Sequence, residues 1–244
     1  MANVEDAASI IGLSRRSVNC PIDLEPKPRR RVGSAARAAW PVRFGARIPA
    51  IVPPIPTIFD EVVENRRSAN ALAPTSLREL VNCVAYATQN YAAWSKDGIP
   101  RFARPTMAAG ALHGIDLVLI SPGARPQLVA YSPSSSRVML LRVGAAAPIV
   151  RLNERIREMK PLARAYSLVL LANPSIYDAA YENSLSLIWR DAGALLQALH
   201  MCAAAYRLAF CALGIHGNEV VEALRPAGDH TVFAVGVAVV GRRP

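Results

Sequence analysis

Cysteine, histidine and lysine are all scarce in this chain of 244 residues. The cysteines are so widely spaced that neither a CxxC redox pair nor a zinc knuckle can form. They are Cys20, Cys83, Cys202 and Cys211. The four histidines make no HExxH motif and no paired-histidine helix. We therefore expect buried free thiols and no metal centre.

Long hydrophobic runs are also missing. The longest runs, such as 232–240, fall far short of the ~18 apolar residues that a membrane-spanning helix needs. Residues 1–13 contain acidic side chains and lack a charged start followed by a sustained apolar core, so no signal peptide is predicted. The expected location is the cytoplasm, without membrane contact.

The overall composition is that of a globular chain with more apolar surface than a monomer needs to bury. Its length suits one domain, or one domain with a long arm, and allows roughly 70% of the unfolded surface to be buried. The hydrophobic fraction is 52% and the mean hydropathy is +0.21, which is high for a monomer. This surplus predicts a subunit interface.

Arginine dominates the net charge of +10, because only three of the 28 basic residues are lysines. Arginine favours bidentate contacts with phosphate or carboxylate. Part of the charge clusters near the N-terminus, at Lys27, Arg29, Arg30, Arg31, Arg37, Arg43 and Arg47. This cluster suits a nucleic acid, an acidic partner chain or an acidic peptide, and a solvated basic arm explains it equally well.

Local patterns divide the chain into an extended Arg/Pro-rich arm, residues 1–57, and a folded domain, residues 58–244. Helices are predicted over 59–67, 76–91 and 183–206. Thr75 or Ser76 is the expected cap of the second helix, and Glu79 lies near the capping-box position. Strands are predicted over 115–120, 127–131, 138–143 and 167–171. The long third helix has apolar residues on nearly all sides, which predicts burial on every face at a subunit interface. The irregular mixture of elements indicates an α+β sheet flanked by helices.

One segment, residues 104–120, joins a small-residue turn directly to an apolar strand and reads RPTMAAGALHGIDLVLI. Such turns let a ligand touch backbone atoms, although a tight turn into a buried strand has the same appearance. The segment resembles R-x-S-P-S-A-G-A-L-H-P-I-E-L-Y-V-V of the SagB-type and McbC-type dehydrogenases. These are FMN enzymes of the nitroreductase superfamily that modify peptide natural products.

Three further segments resemble the same families in the same order along the chain. ENRRSAN at 64–70, followed by SLREL at 76–80, resembles R-R-S-x-R-x-F then L-S-x-x-E-L. RDAGALLQAL at 190–199 resembles R-x-x-L-x-x-A-G-H-x-x-Q-N-L, and CALGIHG at 211–217 resembles C-A-I-G-G-F. The resemblance covers residues 58–241. It implies a nitroreductase-like fold: a mixed or antiparallel sheet flanked by helices, in an obligate dimer with a long central interface helix.

The resemblance also implies an FMN site. Phosphate and ribityl contacts would come from Arg66, Arg67, Ser68, Asn70 and Arg242, with Arg243 beside them. Ring contacts would come from Thr106, Ala109, Gly110, Ala111, Gly214 and Gly217, with Gln197 reaching across the dimer. From the residues alone, an exposed helix end would explain the arginine pair and a core amide would explain the glutamine. The letters Arg15-Arg16-Ser17 repeat the phosphate motif without the helix that should follow it.

The chain departs from the family pattern at three points that bear on function. Ala108 replaces a serine, Asn70 replaces an arginine, and no lysine follows Lys160 to pair with the catalytic tyrosine candidates, Tyr181 and Tyr177. One hypothesis is an FMN-dependent dehydrogenase subunit acting on a ribosomally made peptide precursor, as a homodimer or as a heterodimer with a homologous subunit. The alternative is a flavin-poor, degenerate partner that completes or scaffolds such an enzyme and binds the precursor. Nucleic-acid binding rests on charge alone.

Overall fold

The structure is a computed structural model that describes residues 24–30, 33, 35–48, 50–225 and 232–244. The Arg15-Arg16-Ser17 repeat, Cys20 and Arg31 lie outside the described residues. The strands are β1 Lys27–Pro28, β2 Val42–Arg47, β3 Ala92–Lys96, β4 Ile99–Ala103, β5 Ile115–Ile120, β6 Leu128–Ser132, β7 Arg137–Leu141, β8 Tyr166–Ala172, β9 Tyr181–Glu182, β10 Leu208–Leu213 and β11 Phe233–Arg242. The helices are α1 Phe59–Asn65, α2 Leu77–Thr88, α3 Ala147–Met159, α4 Pro174–Asp178, α5 Leu185–Ala205 and α6 Glu219–Leu224.

A seven-stranded antiparallel sheet forms the centre of the described chain, in the order β10-β11-β8-β5-β6-β7-β2. Successive residues of its central strands point to opposite faces, as the two-residue period of a strand requires. Leu117 packs in the core on one face of β5 and Val118 packs in the core on the other. The strands therefore read as continuous apolar runs because both faces are covered.

Each face of the sheet is covered by its own pair of helices. Helices α2 and α5 pack on one face, where Leu80 and Leu199 join the core. Helices α3 and α6 pack on the other face, where Leu152 and Val220 do the same. The result is a three-layer α+β fold, which confirms the expected fold class and shows the sheet to be antiparallel throughout.

The two ends of the sheet carry different sets of predicted site residues. We call the end where β11 finishes at Arg242 the arginine end, and the end where β5 starts at Ile115 the turn end. Ten residues of β11 separate them, about 30 Å at ~3.3 Å per residue. The 21 residues of α5 also span about 30 Å, since a helix rises ~1.5 Å per residue. Its Trp189 packs on Phe233 at the turn end, and His200 stacks on Phe210 towards the arginine end.

Most of the predicted elements are confirmed to within a few residues. Ser76 caps α2 and forms the predicted capping box with Glu79. The hairpin β6–β7 is present, and β5 has the predicted bounds. Several elements were not predicted: the hairpin β3–β4, the helices α3, α4 and α6, and the strands β1, β2, β9 and β10.

Two expectations concern contacts between elements. Helix α5 leaves Gly193 and Gln197 exposed on its outer side within a single chain, so its burial at a subunit interface stays a prediction. The described part of the arm also packs on its own chain, since β2 is the edge strand of the main sheet and β1 pairs with β9. The division at residue 57 stays a prediction based on composition. None of the described helices is long and apolar enough to cross a membrane.

Candidate functional site

The small-residue segment predicted to face a ligand is a tight turn immediately before β5. Ala109–Ala111 form a single 3-10 turn in which Gly110 has φ 52°. Ala111 and His113 also have positive φ, at 57° and 48°, which side chains other than glycine rarely adopt. The turn is therefore held in an unfavourable backbone conformation by its surroundings.

Asp191 of α5 is the residue that holds this turn. Its carboxylate accepts hydrogen bonds from the backbone N–H of Ala109 at 3.0 and 3.1 Å, and from the hydroxyl of Tyr177 at 2.8 Å. Burial raises the pKa of Asp191, and its hydrogen bonds from Ala109 and Tyr177 oppose that rise. Burial, followed by the charge of Asp191, raises the pKa of Tyr177 well above its usual range. Tyr177 is therefore a neutral hydrogen-bond donor that ties α4 to α5.

The two candidate catalytic tyrosines have different surroundings. Tyr177 has no exposed surface, and its ring occupies the space that a Cβ at Gly114 would need, 2.3 Å from Tyr177 Cε2. Tyr181 is partly exposed, and its hydroxyl lies 2.7 Å from the position of a Cβ at Gly110. Only Tyr181 therefore combines contact with the turn and access from solvent.

Arg101 completes the contacts of the turn. Its Nη1 donates to the carbonyl oxygen of Gly110 at 2.5 Å, and the same nitrogen lies 2.6 Å from a Cβ built at Gly110. A side chain at position 110 would thus collide with both Arg101 and Tyr181. Thr106, five residues before the end of the turn, is buried and donates to the carbonyl oxygen of Ala87 at 2.9 Å. Thr106 anchors the approach to the turn on α2.

Gly214 and Gly217 follow β10 at the same end of the sheet. Gly214 is exposed, with no atom within 4 Å of a Cβ built on it, so its backbone is open to a ligand. Gly217 has φ 91°, and a Cβ there would lie 2.7 Å from Val237 Cγ2. His216 between them packs against Trp189, with ring centroids 5.5 Å apart. The loop thus contributes open backbone at one position and close packing at the other.

The predicted phosphate residues lie at the opposite end of the sheet. Arg66 and Arg67 follow α1, and the backbone around Ser68 pairs with Phe210 at the start of β10. Arg242 is beside them, because its backbone pairs with that of Ala73. The sequence motifs at 64–70 and 242–243 are therefore brought together in space.

Two of these predicted side chains are already engaged within the chain. Asn70 Oδ1 accepts from the ammonium of Lys160 at 2.8 Å. Arg242 forms an ion pair with Glu79 at 2.5 Å, and this guanidinium holds the pKa of Glu79 at about 2. Neither side chain is free for a phosphate in this conformation.

Other arginines at this end have no acidic partner among the described residues. They include Arg66, Arg67, Arg207 and Arg243. Arg207 and Arg243, together with Glu61, line a cavity of about 380 Å³ between the end of α5 and α1. Arg243 donates to the carbonyl oxygen of Asn65 at 2.7 Å. Arginine forks of this kind match the oxygens of a phosphate.

His200 links α5 to the arginine pair. Its ring is hydrogen-bonded to the Arg67 backbone, and burial, together with the charge of Arg66, lowers its pKa. Its Nε2 is buried without a hydrogen-bond partner among the described residues. A buried polar atom left unpaired in this way is unusual and indicates a position that a ligand or water completes.

The predicted site residues thus fall into two groups about 30 Å apart, with Gln197 exposed on α5 between them. Sequence reasoning missed Arg101, Asp191, His200 and Arg207. Asp191 carried a signal, because it is a carboxylate within an apolar helix. The other three carried none, since their positions depend on long-range packing.

Comparison with known proteins identifies the fold. No protein-family model and no protein of curated function matches the sequence. A structure described as a nitroreductase, from Ralstonia eutropha, matches with a TM-score of 0.57 and 16% identity, covering 91% of this chain and 99% of its own. A chain of the Escherichia coli microcin synthetase McbBCD complex with truncated pro-MccB17 bound matches with a TM-score of 0.55 and 14% identity, covering 81% of this chain and 77% of its own.

A third structure, described as a nitroreductase from Anabaena variabilis, matches with a TM-score of 0.55 and 15% identity. It covers 74% of this chain but only 38% of its own. At these identities the likeness concerns the fold. The chain has the nitroreductase-like fold: an antiparallel sheet between helical layers.

Proposed function

We propose that this chain is a subunit of an FMN-dependent oxidoreductase, a dehydrogenase of a ribosomally made peptide, that works as a dimer with itself or with a homologous chain. The observation that carries the proposal is the separation of two complementary half-sites. Unpaired arginines lie at one end of the sheet, and a constrained small-residue turn with an accessible tyrosine lies at the other.

A single FMN is much shorter than the ~30 Å between these ends, so one chain cannot use both half-sites on the same cofactor. A two-fold dimer solves this problem. If two copies pair antiparallel along the outer side of α5, the arginine end of one copy meets the turn end of the other. The exposed Gly193 and Gln197 near the middle of α5 would then lie at the axis, and the interface would cover the outer side of the helix.

The residues present fit an FMN. Arg66 and Arg67, with Arg207 and Arg243 nearby, supply the cations that a phosphate needs, and the orphaned Nε2 of His200 lies next to them. The turn 109–111 and the open backbone of Gly214 supply small residues that allow close approach to a ring. Bound FMN would supply the hydride acceptor.

Tyr181 is the residue that we assign to proton transfer. Its hydroxyl borders the turn, and Arg101 lies against the same position, so a charge that develops there would be stabilised. Tyr177 has the supporting role of fixing Asp191 and, through it, the backbone of Ala109. No lysine follows Lys160 in the sequence, which departs from the McbC-type pattern that the chain resembles.

The peptide substrate is inferred from two observations. One structural neighbour is part of a synthetase complex solved with a peptide precursor bound. The net charge of +10 favours an acidic partner or substrate. Asn70 is hydrogen-bonded to Lys160, and Arg242 is ion-paired with Glu79. These contacts within the chain favour a second candidate, a flavin-poor subunit that completes the site of a homologous partner.

The test is flavin retention. We expect the purified chain, alone or co-expressed with a homologous subunit, to show oxidised-flavin absorption and to release FMN on denaturation. Arg66→Ala with Arg67→Ala should abolish retention, because both unpaired cations beside His200 are lost. Arg164→Ala, an exposed arginine without side-chain partners among the described residues, is the matched control. Full FMN occupancy in the double variant would refute the phosphate assignment, and a colourless chain in every pairing would support the flavin-poor subunit.

A further inference from the structure

A second cavity at the turn end lies outside both flavin half-sites. Its volume is about 100 Å³, and it is enclosed by the segment 37–40, the end of β4, the start of β5 and the turn between β6 and β7. The side chains that give it its chemical character are Arg37, Trp40, Phe102, Arg104, Tyr131 and Ser134. Two arginines and three aromatic rings thus share one small pocket.

The only acid on this cavity, among the described residues, is already paired with other side chains. Asp116 forms an ion pair with Arg37, and it accepts hydrogen bonds from Trp40 Nε1 at 2.9 Å and from Asn173 Nδ2 at 3.0 Å. Arg37 also donates to the carbonyl oxygen of His113 at 2.8 Å. These contacts bind the segment 37–40 to β5, occupy three of the roughly four acceptor positions of Asp116, and include no hydrogen bond from Arg104.

Arg104 is the second arginine of the cavity, and it forms only one hydrogen bond among the described residues. It donates through Nε to Asn90 Oδ1 at 2.8 Å, and its guanidinium carbon lies 5.3 Å from the centre of the Phe102 ring. Its two terminal nitrogens make no hydrogen bond within the described part of the chain. Burial and the neighbouring charge of Arg37 lower its pKa to about 10. Arg104 therefore remains charged at neutral pH while lacking an anion.

The surrounding charges do not compensate Arg104. Arg37 and Asp116 neutralise each other, and burial, with the repulsion of Arg104, holds the pKa of His113 at about 4, so His113 is neutral at pH 7. The cavity thus carries one net positive charge on a planar fork between aromatic walls. A planar anion with a single charge is the matching ligand.

We propose that this cavity is a carboxylate-binding site, in which a carboxylate accepts a bidentate pair of hydrogen bonds from Arg104. The carboxylate is either an acidic side chain or the C-terminus of a peptide. Binding itself does not depend on flavin. The statement that the carboxylate belongs to the substrate rests on the proposed function, because the cavity adjoins the turn end where the reaction would occur.

The test compares three small amino-acid probes, with inorganic phosphate as a competing anion, by calorimetry on the full chain. N-acetylglutamate α-amide offers only a side-chain carboxylate, N-acetylglutamine only a C-terminal one, and N-acetylglutamine amide none. We expect at least one charged probe to bind about tenfold more tightly than the neutral probe, as a charge-assisted bidentate pair predicts. Which probe binds identifies the source of the carboxylate. Equal binding of all three, or binding of inorganic phosphate but of neither carboxylate, overturns the proposal.

Two pairs of variants locate the binding. Arg104→Gln should abolish the preference for the charged probe, and Arg164→Gln should leave it unchanged. Ser134→Glu leaves Arg104 in place, so it tests the site without disturbing any role of Arg104 in folding. Ser134 is exposed at the mouth of the cavity, and the new carboxylate would compete with the probes for Arg104 and weaken their binding. Ser134→Gln is its matched control and should bind normally. Retained binding in Ser134→Glu and Arg104→Gln refutes the assignment. The Arg66→Ala, Arg67→Ala protein should bind the probes normally, which separates this test from that of the flavin site.

Discussion

Replacing Asp191 tests whether a single carboxylate holds the turn end together. Asp191→Leu keeps the number and branching of the side-chain heavy atoms but removes every acceptor. Two donors then lose their partner, namely the backbone N–H of Ala109 and the hydroxyl of Tyr177. Since Tyr177 is 0% exposed, water cannot replace the lost acceptor without rearrangement.

The two effects of this substitution oppose each other. A leucine relieves the cost of burying a carboxylate, which is the reason that the pKa of Asp191 is raised. Each buried donor left unpaired costs roughly 1–3 kcal/mol, and the loss is largest for Tyr177 because it is the more deeply buried. We expect the unpaired donors to prevail and the free energy of unfolding to fall by about 3 kcal/mol. For a chain of this size that corresponds to a melting temperature lower by roughly 6–12 °C.

The measurement is urea unfolding followed by circular dichroism, performed as a double-mutant cycle with Tyr177→Phe. In the Tyr177→Phe background the hydroxyl is absent, so Asp191→Leu should cost about 1–2 kcal/mol less than in the wild type. Additive effects would show that Tyr177 and Asp191 do not interact, and a loss below about 1 kcal/mol in the single variant would refute the proposed role of the carboxylate.

Two further predictions concern the same end of the sheet. Gly114→Ala should destabilise the fold by roughly 1–3 kcal/mol, because the new Cβ would lie 2.3 Å from the Tyr177 ring. Gly45→Ala on the edge strand is the control and should change the free energy of unfolding by less than about 1 kcal/mol. Equal effects of the two substitutions would contradict the packing argument. Stability should also fall as the pH drops from about 6.5 towards 4. The pKa of His113 is about 4 in the folded chain, so the unfolded chain binds the proton at a higher pH than the folded chain does. The free energy of unfolding should fall by up to about 3 kcal/mol over this range. His113→Asn tolerates the positive φ and should flatten that part of the urea-derived pH profile, and an unchanged slope would exclude His113 as its source.

The sequence predicted the elements whose patterns are local. The capping box at Ser76 and the long apolar helix depend on residues three or four positions apart, so they can be read directly. Helix α3 was missed although Leu152 and Ile156 follow the helical period, because charged residues dominate its outer side. The hairpin β3–β4 was missed because every residue of β3 is exposed, which leaves no alternation to detect.

The candidate site was predictable as a set of motifs but not as an arrangement. The order of the motifs correctly indicated the fold, and nothing in that order revealed that residues 66–68 and 109–111 lie at opposite ends of one sheet. The strand order decides this, because the arginine motif pairs with the start of β10 and the turn precedes β5. Pairing between distant strands depends on long-range contacts that no local pattern encodes.

The engaged and free cations at the arginine end decide how a phosphate would have to bind. Arg242 is neutralised by Glu79, so recruiting it for a phosphate would first require breaking that ion pair. Arg66 and Arg67 carry no such cost, and Arg243 is held beside them through the carbonyl oxygen of Asn65. We therefore expect a phosphate to bind at the residue 66–67 side of the end, towards His200, and not at Arg242. Arg242→Gln should then leave flavin retention nearly unchanged while Arg66→Gln lowers it, and the reverse order would return the phosphate to the end of β11.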